Sequence, residues 1–103
     1  MILQTLREKL LALEGVNEQS HRFGGVEFRY QSKELGHIHG EKLADLPFPK
    51  KIRDELIESK LAEPHHIYPN SGWVSFYINS EKDIDILLKL FYMQYERLTK
   101  NNK

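Results

Sequence analysis

Histidine is the one chemically versatile residue type that this sequence concentrates: His21, His37, His39, His65 and His66 lie within 103 residues. Imidazole can ligate a metal, bind an anion or move a proton near neutral pH. In Leu35-Gly36-His37-Ile38-His39 the two histidines are two residues apart, and on a strand that spacing sends both rings, with Leu35, to one face and Ile38 to the other. His65 and His66 are adjacent, so strand alternation admits at most one of them to a shared face. The metal set this pattern suggests is His37, His39 and His65, with Glu34 or Glu41 as a carboxylate, a donor combination used for zinc or non-haem iron. Two other readings stand beside it: an acid–base or anion site, with Asp45 or Glu41 orienting a ring, and partly exposed strand histidines hydrogen-bonded around a loop. Trp73, with Tyr68 and Tyr77, could line a pocket beside the imidazoles or pack across strands.

Other reaction classes lack their residues. The sequence contains no Cys, which excludes disulfides, thiolate metal sites and a Cys nucleophile. Ser71, Ser75 and Ser80 fit a turn, a strand face and a helix cap, and no Gly-x-Ser-x-Gly elbow presents a nucleophile. Gly24-Gly25 and the Gly36/Gly40 pair have neither Walker nor Gly-x-Gly-x-x-Gly spacing, so there is no flavin or nucleotide signature. The possible cofactor is therefore a divalent metal.

The elements that must position these residues are those of one domain spanning 1–103, with a polar tail at about 99–103. An apolar share of 40% suffices for a single core at this length. Fifteen Lys and Arg balance fifteen Asp and Glu, so no basic excess points to nucleic acid. Charge enters by Arg7 and Glu8, against a signal peptide, and no stretch suits a membrane span, so a cytoplasmic protein is expected.

Leu3, Leu6, Leu10 and Leu13 predict a first helix stopped by Gly15. Val26, Phe28 and Tyr30 alternate with Glu27 and Arg29 as a strand does, and residues 35–39 read as its hairpin partner. Leu43-Ala44-Asp45-Leu46-Pro47-Phe48-Pro49 reads as a stiff connector because each proline restricts its predecessor. A helix from Pro49 to about Lys60 buries Ile52, Leu56 and Ile57. A second hairpin joins His65-His66-Ile67-Tyr68 to residues 73–78, with Val74, Phe76 and Ile78 buried. Ser80 as N-cap, with Asp83 as capping-box acid, starts a final helix carrying Ile84, Leu87, Leu88, Phe91, Tyr95 and Leu98. The expected fold is α+β in helix-hairpin-helix-hairpin-helix order, a four-stranded antiparallel sheet with helices packed on one face.

Gly36-His37-Ile38-His39-Gly40, the stretch from Leu43 to Pro49, Ala62-Glu63-Pro64-His65-His66 and Ser71-Gly72-Trp73-Val74-Ser75-Phe76 together resemble the luciferase-domain family, from about His21 to Tyr95. The family name implies light emission. The resemblance implies that His37, His39, Asp45, His65, His66, Ser71, Gly72 and Trp73 belong to a shared pattern. The expected function is a binding domain presenting His37, His39, Asp45, His65 or His66, and Trp73 around a pocket for a small ligand or a partner protein. The alternatives are a metal-dependent or acid–base enzyme using the same histidines, and an oligomerising protein without a pocket.

Overall fold

The computed structural model of the chain describes residues 2–20 and 24–100, so His21 lies outside the described residues. Leucines one turn apart make α1 (Ile2–Leu11) amphipathic, with Leu6 and Leu10 fully buried. Four strands follow in succession: β1 (Val16–Ser20), β2 (Val26–Tyr30), β3 (Lys33–His39) and β4 (Leu43–Pro47). Then come α2 (Lys50–Glu58), the two-residue β5 (Glu63–Pro64), β6 (Trp73–Tyr77) and α3 (Asp83–Lys100). The strand order is β1-β2-β3-β4-β6-β5, and all neighbours are antiparallel.

The fold is thus α+β, but a six-stranded sheet replaces the expected four-stranded one, and four consecutive strands replace the helix-hairpin order. Three local signals misled. β1 (Val-Asn-Glu-Gln-Ser) is a polar edge strand with little apolar alternation to announce it, held to α1 by Arg7, whose guanidinium donates to Glu18 at 2.8–3.1 Å. Leu43–Pro47, expected as a connector, is an interior strand. Pro47 closes it as its last residue, where it pairs with Trp73, so a missing N–H interrupts no further ladder. His65-His66-Ile67-Tyr68, expected as a strand, is loop, because pairing with β6 ends at Pro64↔Val74.

Helix expectations fared better, except that on α2 only Leu56 is buried while Ile52 and Ile57 are half-buried. Val74, Phe76 and Ile78 are buried, as are Ile84, Leu87, Leu88, Phe91 and Leu98 on α3. Asp83 acts as the expected capping-box acid, its carboxylate accepting the N–H of Ser80 at 3.1 Å and also that of Asn79 at 2.7 Å. Thr99 and Lys100, assigned to the polar tail, belong to this helix.

Between β2 and β3 the register slips, Phe28 facing Gly36 and Arg29 facing Glu34, so Leu35 is an extra, bulged residue. The bulge turns both Leu35 and Gly36 toward the helices. Leu35 therefore enters the core instead of sharing the histidine face as strict alternation requires. At Gly36 a Cβ would stand 2.9 Å from the Phe91 ring and 3.0 Å from the Asp45 carbonyl, so α3 seats this closely only over glycine. Gln94 of α3, fully buried, donates its amide to the carbonyls of Leu35 and Pro47 at 3.3 and 2.6 Å, pinning the bulge to the end of β4. Phe28 and Phe91 meet edge to face at 5.8 Å across the same layer.

Candidate functional site

Antiparallel register sets five directly opposed residues in one row across the sheet: Glu27, His37, Asp45, Ser75 and Glu63. All lie on the face turned away from Phe28, Ile38, Ala44, Leu46, Val74 and Phe76. Glu27, His37, Asp45 and Ser75 are buried, unusual for polar residues in mid-sheet, and they form a polar floor. His39 lies two residues along β3 from His37 on the same face, as its spacing predicts.

The loop after β5 completes the floor. Its backbone is fixed by the Ser71 hydroxyl donating to the Tyr68 carbonyl at 2.7 Å, by Phe48 N–H donating to the Gly72 carbonyl at 3.3 Å, and by Arg53 donating to the Pro69 carbonyl. Both loop histidines reach the floor, although strand alternation admits only one, because the chain has left the strand at Pro64 and each ring is aimed by loop backbone. His66 N–H donates to the Ser75 hydroxyl at 3.2 Å, and His65 Nδ1 accepts the N–H groups of Ile67 and Tyr68 at 3.1 and 3.0 Å.

The focus is one atom. Asp45 is 1% exposed, and its Oδ2 lies 3.1 Å from His39 Nε2, 3.2 Å from His66 Nε2, 3.3 Å from His37 Nε2 and 3.6 Å from His65 Nε2. Its Oδ1 accepts the Ser75 hydroxyl at 2.8 Å. On its far side, His37 Nδ1 stands 2.6 Å from Glu34 Oε2. Glu34 reaches this face only because the bulge reverses its direction. Glu41, the other carboxylate considered from sequence, is elsewhere: its Oε1 accepts the N–H groups of Ile2 and Leu3 at the start of α1. Trp73 lies against the His37 and His65 rings at 5.5 and 5.8 Å. Sequence reasoning missed Ser75 as a site residue, and its position two residues after Trp73 on one strand was the available signal.

Electrostatics split these groups. Burial opposes charge on His37, but hydrogen bonds to Asp45 and Glu34 outweigh it and raise its pKa from 6.5 to about 9. Burial likewise opposes ionisation of Asp45, yet hydrogen bonds from His37, Ser75 and His66 hold its carboxyl well below the usual range. His65 moves the other way. Burial lowers its pKa and the other imidazoles add to this against the pull of Asp45, and an Nδ1 already accepting two backbone N–H groups has no place for a second proton. At neutral pH the floor holds an imidazolium, a carboxylate and an imidazole fixed as its Nε2–H tautomer.

A pH dependence follows for the protein without bound ions. Because the folded-state pKa of His37 exceeds the unfolded value of 6.5, its contribution to stability is full below 6.5 and is lost as pH rises through about 9. His65, depressed when folded, opposes this on the acid side, contributing above 6.5 and losing its contribution as pH falls. Thermal melts should therefore fall steadily between about pH 6.5 and 9, and His37→Gln should abolish that alkaline decline. A flat melting temperature in the wild-type chain across this window would contradict it.

Above the floor opens a cleft of about 700 Å³, with Glu27, Arg29 and Ser20 on one side and Ile67, Tyr68 and Trp73 on the other. Ligand-atom geometry admits a metal at two overlapping sets, His37/His39/Asp45 and Asp45/His65/His66, the donor atoms within each lying within 4.8 Å of one another. Among the described residues no helix is long and apolar enough to cross a membrane.

A protein-family model described as "Luciferase domain" matches residues 32–94. No curated protein and no solved structure matches the chain. The matched segment contains His37, His39, Asp45, His65, His66 and Trp73.

Proposed function

The chain belongs to the luciferase-domain family, and from that premise we propose that it binds a small molecule in the cleft over the histidine–aspartate floor, which is its working site. The observation that carries this reading is the convergence of four imidazole Nε2 atoms, from β3 and from the loop after β5, on one buried carboxylate oxygen at the base of an open cleft. Such a cluster is costly to bury and contributes little net stability, so its concentration beneath a cleft points to use. The cleft's size falls in the range of about 300–1,000 Å³ common for small-ligand sites.

The walls suggest how a ligand lies. Ile67 and Tyr68 are 61% and 63% exposed, an apolar ledge beside Trp73 that suits the body of a ligand whose polar end meets the floor. His39 and His66, with side chains 32% and 31% exposed, are the imidazoles it would touch, while His37 and His65 lie behind them.

Trp73 is the sole tryptophan and reports on the cleft directly. In a small-molecule screen, ligands should alter its emission and shift the NMR amide signals of His39, Tyr68 and Trp73. Hits that leave tryptophan emission unchanged and instead map to the surface groove lined by Lys9, Leu88 and Tyr92 would overturn the proposal.

A further inference from the structure

We infer that His37, His39 and Asp45, joined by His66 from the loop, form a binding centre for a divalent transition-metal ion at the base of the cleft, a reading that rests on the cleft being the working site. Hydrogen bonding alone accounts poorly for the arrangement. A carboxylate oxygen has two lone pairs, yet Asp45 Oδ2 faces four Nε2 atoms at 3.1–3.6 Å, beyond the roughly 2.7–2.9 Å of a charge-assisted N–H···O bond. The separations of His37, His39 and His66 from that oxygen, 3.1–3.3 Å, match instead the edge of a coordination shell, since donors about 2.0–2.1 Å from a tetrahedral ion lie about 3.3 Å from one another. The donor atoms of His37, His39 and Asp45 lie within 4.8 Å of one another, as do those of Asp45, His65 and His66; His66 Nε2, 3.2 Å from the shared oxygen on its loop side, lies outside the first set and completes the shell by rotation of its partly exposed ring about the side-chain bonds.

The surroundings are those that metal ligands require. His37 presents Nδ1 to Glu34 at 2.6 Å, a carboxylate–histidine–metal relay that leaves Nε2 to coordinate once its proton has passed to solvent. Ser75 holds Asp45 Oδ1 at 2.8 Å, so that Oδ2 alone faces the ion. His65 is excluded from the shell by its own hydrogen bonds. With Nδ1 accepting from Ile67 and Tyr68, its only proton sits on Nε2, which can donate to Asp45 but cannot offer a lone pair. His65 is thus a positioning residue that couples the Ile67–Tyr68 ledge to the carboxylate. Imidazole and carboxylate donors without thiolate suit Zn²⁺, Co²⁺, Ni²⁺ or Fe²⁺.

The test is titration of the whole chain, after chelator treatment, with Zn²⁺ and with Co²⁺, reading stoichiometry by elemental analysis after gel filtration and coordination by Co²⁺ visible absorption. One ion per chain is expected. His39→Ala and His66→Ala replace half-exposed rings, so both should keep native circular dichroism while losing more than about a hundredfold in affinity, beyond the roughly 10–100-fold typical of outer-shell partners such as Glu34→Gln. His65→Gln, whose amide can accept at one end and donate at the other, should stay within that outer-shell range and keep the Co²⁺ spectrum. Natively folded chain that retains no ion would overturn the centre, and His65→Gln as damaging as His66→Ala would overturn the ligand assignment. If Trp73 still responds to ligands in a chain that takes up no metal, the centre fails and the cleft stands; if metal is taken up but no ligand moves the Trp73 signal, the centre stands and the cleft fails.

Discussion

Asp45→Asn should destabilise the fold by about 3–5 kcal/mol at neutral pH and abolish binding in the cleft, the largest effect expected of any single-site change on the histidine face. The carboxylate is 1% exposed and is the common partner of His37, His39, His65, His66 and Ser75. Asparagine keeps the volume but removes the charge, and an NH₂ in place of Oδ2 faces the Nε2–H groups of His37 and His65. His37 then keeps Glu34 as its counterion but loses Asp45, so its raised pKa should fall back toward 6.5. The alkaline decline in stability should shrink with it. Equilibrium urea unfolding at pH 7 and an NMR titration of the His37 ring measure both quantities. A variant with wild-type stability would show that the rings need no shared anion, and the account of the floor would fail.

Gln94→Leu comes second, with an expected loss of about 2–4 kcal/mol although the residue touches nothing in the cleft. Gln94 is 0% exposed, and its amide is a hydrogen-bond donor to the buried carbonyls of Leu35 and Pro47. Its Oε1 accepts from Arg97 at 2.9 Å. Leucine fills the space and leaves these groups unpaired, the costly side of hydrogen-bond energetics. The bulge that sends Glu34 to the histidine face loses its tether, so a simple packing defect and a positioning defect can be told apart. If Gln94 serves only the core, the His37 titration stays as in the wild type. If it holds the bulge, the raised pKa of His37 drops along with stability. Unfolding combined with the same NMR titration reads both, and an unchanged melting temperature would refute the prediction altogether.

These two residues mark the boundary of what one-dimensional reading reaches. Asp45 stands out in the sequence only as a partner for a ring and through the family pattern, because a lone acid in Leu-Ala-Asp-Leu-Pro looks like part of a proline-stiffened connector. Gln94 looks like a polar position on an amphipathic helix. Asp45 acquires its role from partners up to 30 positions away, such as Ser75, and Gln94 from carbonyls 47 and 59 positions away, and no local periodicity carries that information.

Spacing along the chain was enough to place His37 and His39 on one face, to bury Val74 and Phe76, to define the apolar stripe of α3, and to identify the family, because each of these depends on residues within a few positions of one another. Tertiary structure alone decided the rest. The cross-strand row from Glu27 to Glu63 exists by virtue of register, which is set by pairing between distant strands. Glu34 joins it through one bulged residue, and both loop histidines reach Asp45 because the strand ends at Pro64. Alternation is a property of an extended chain and ceases to constrain direction where the chain bulges or turns, and that is where this protein assembled its site.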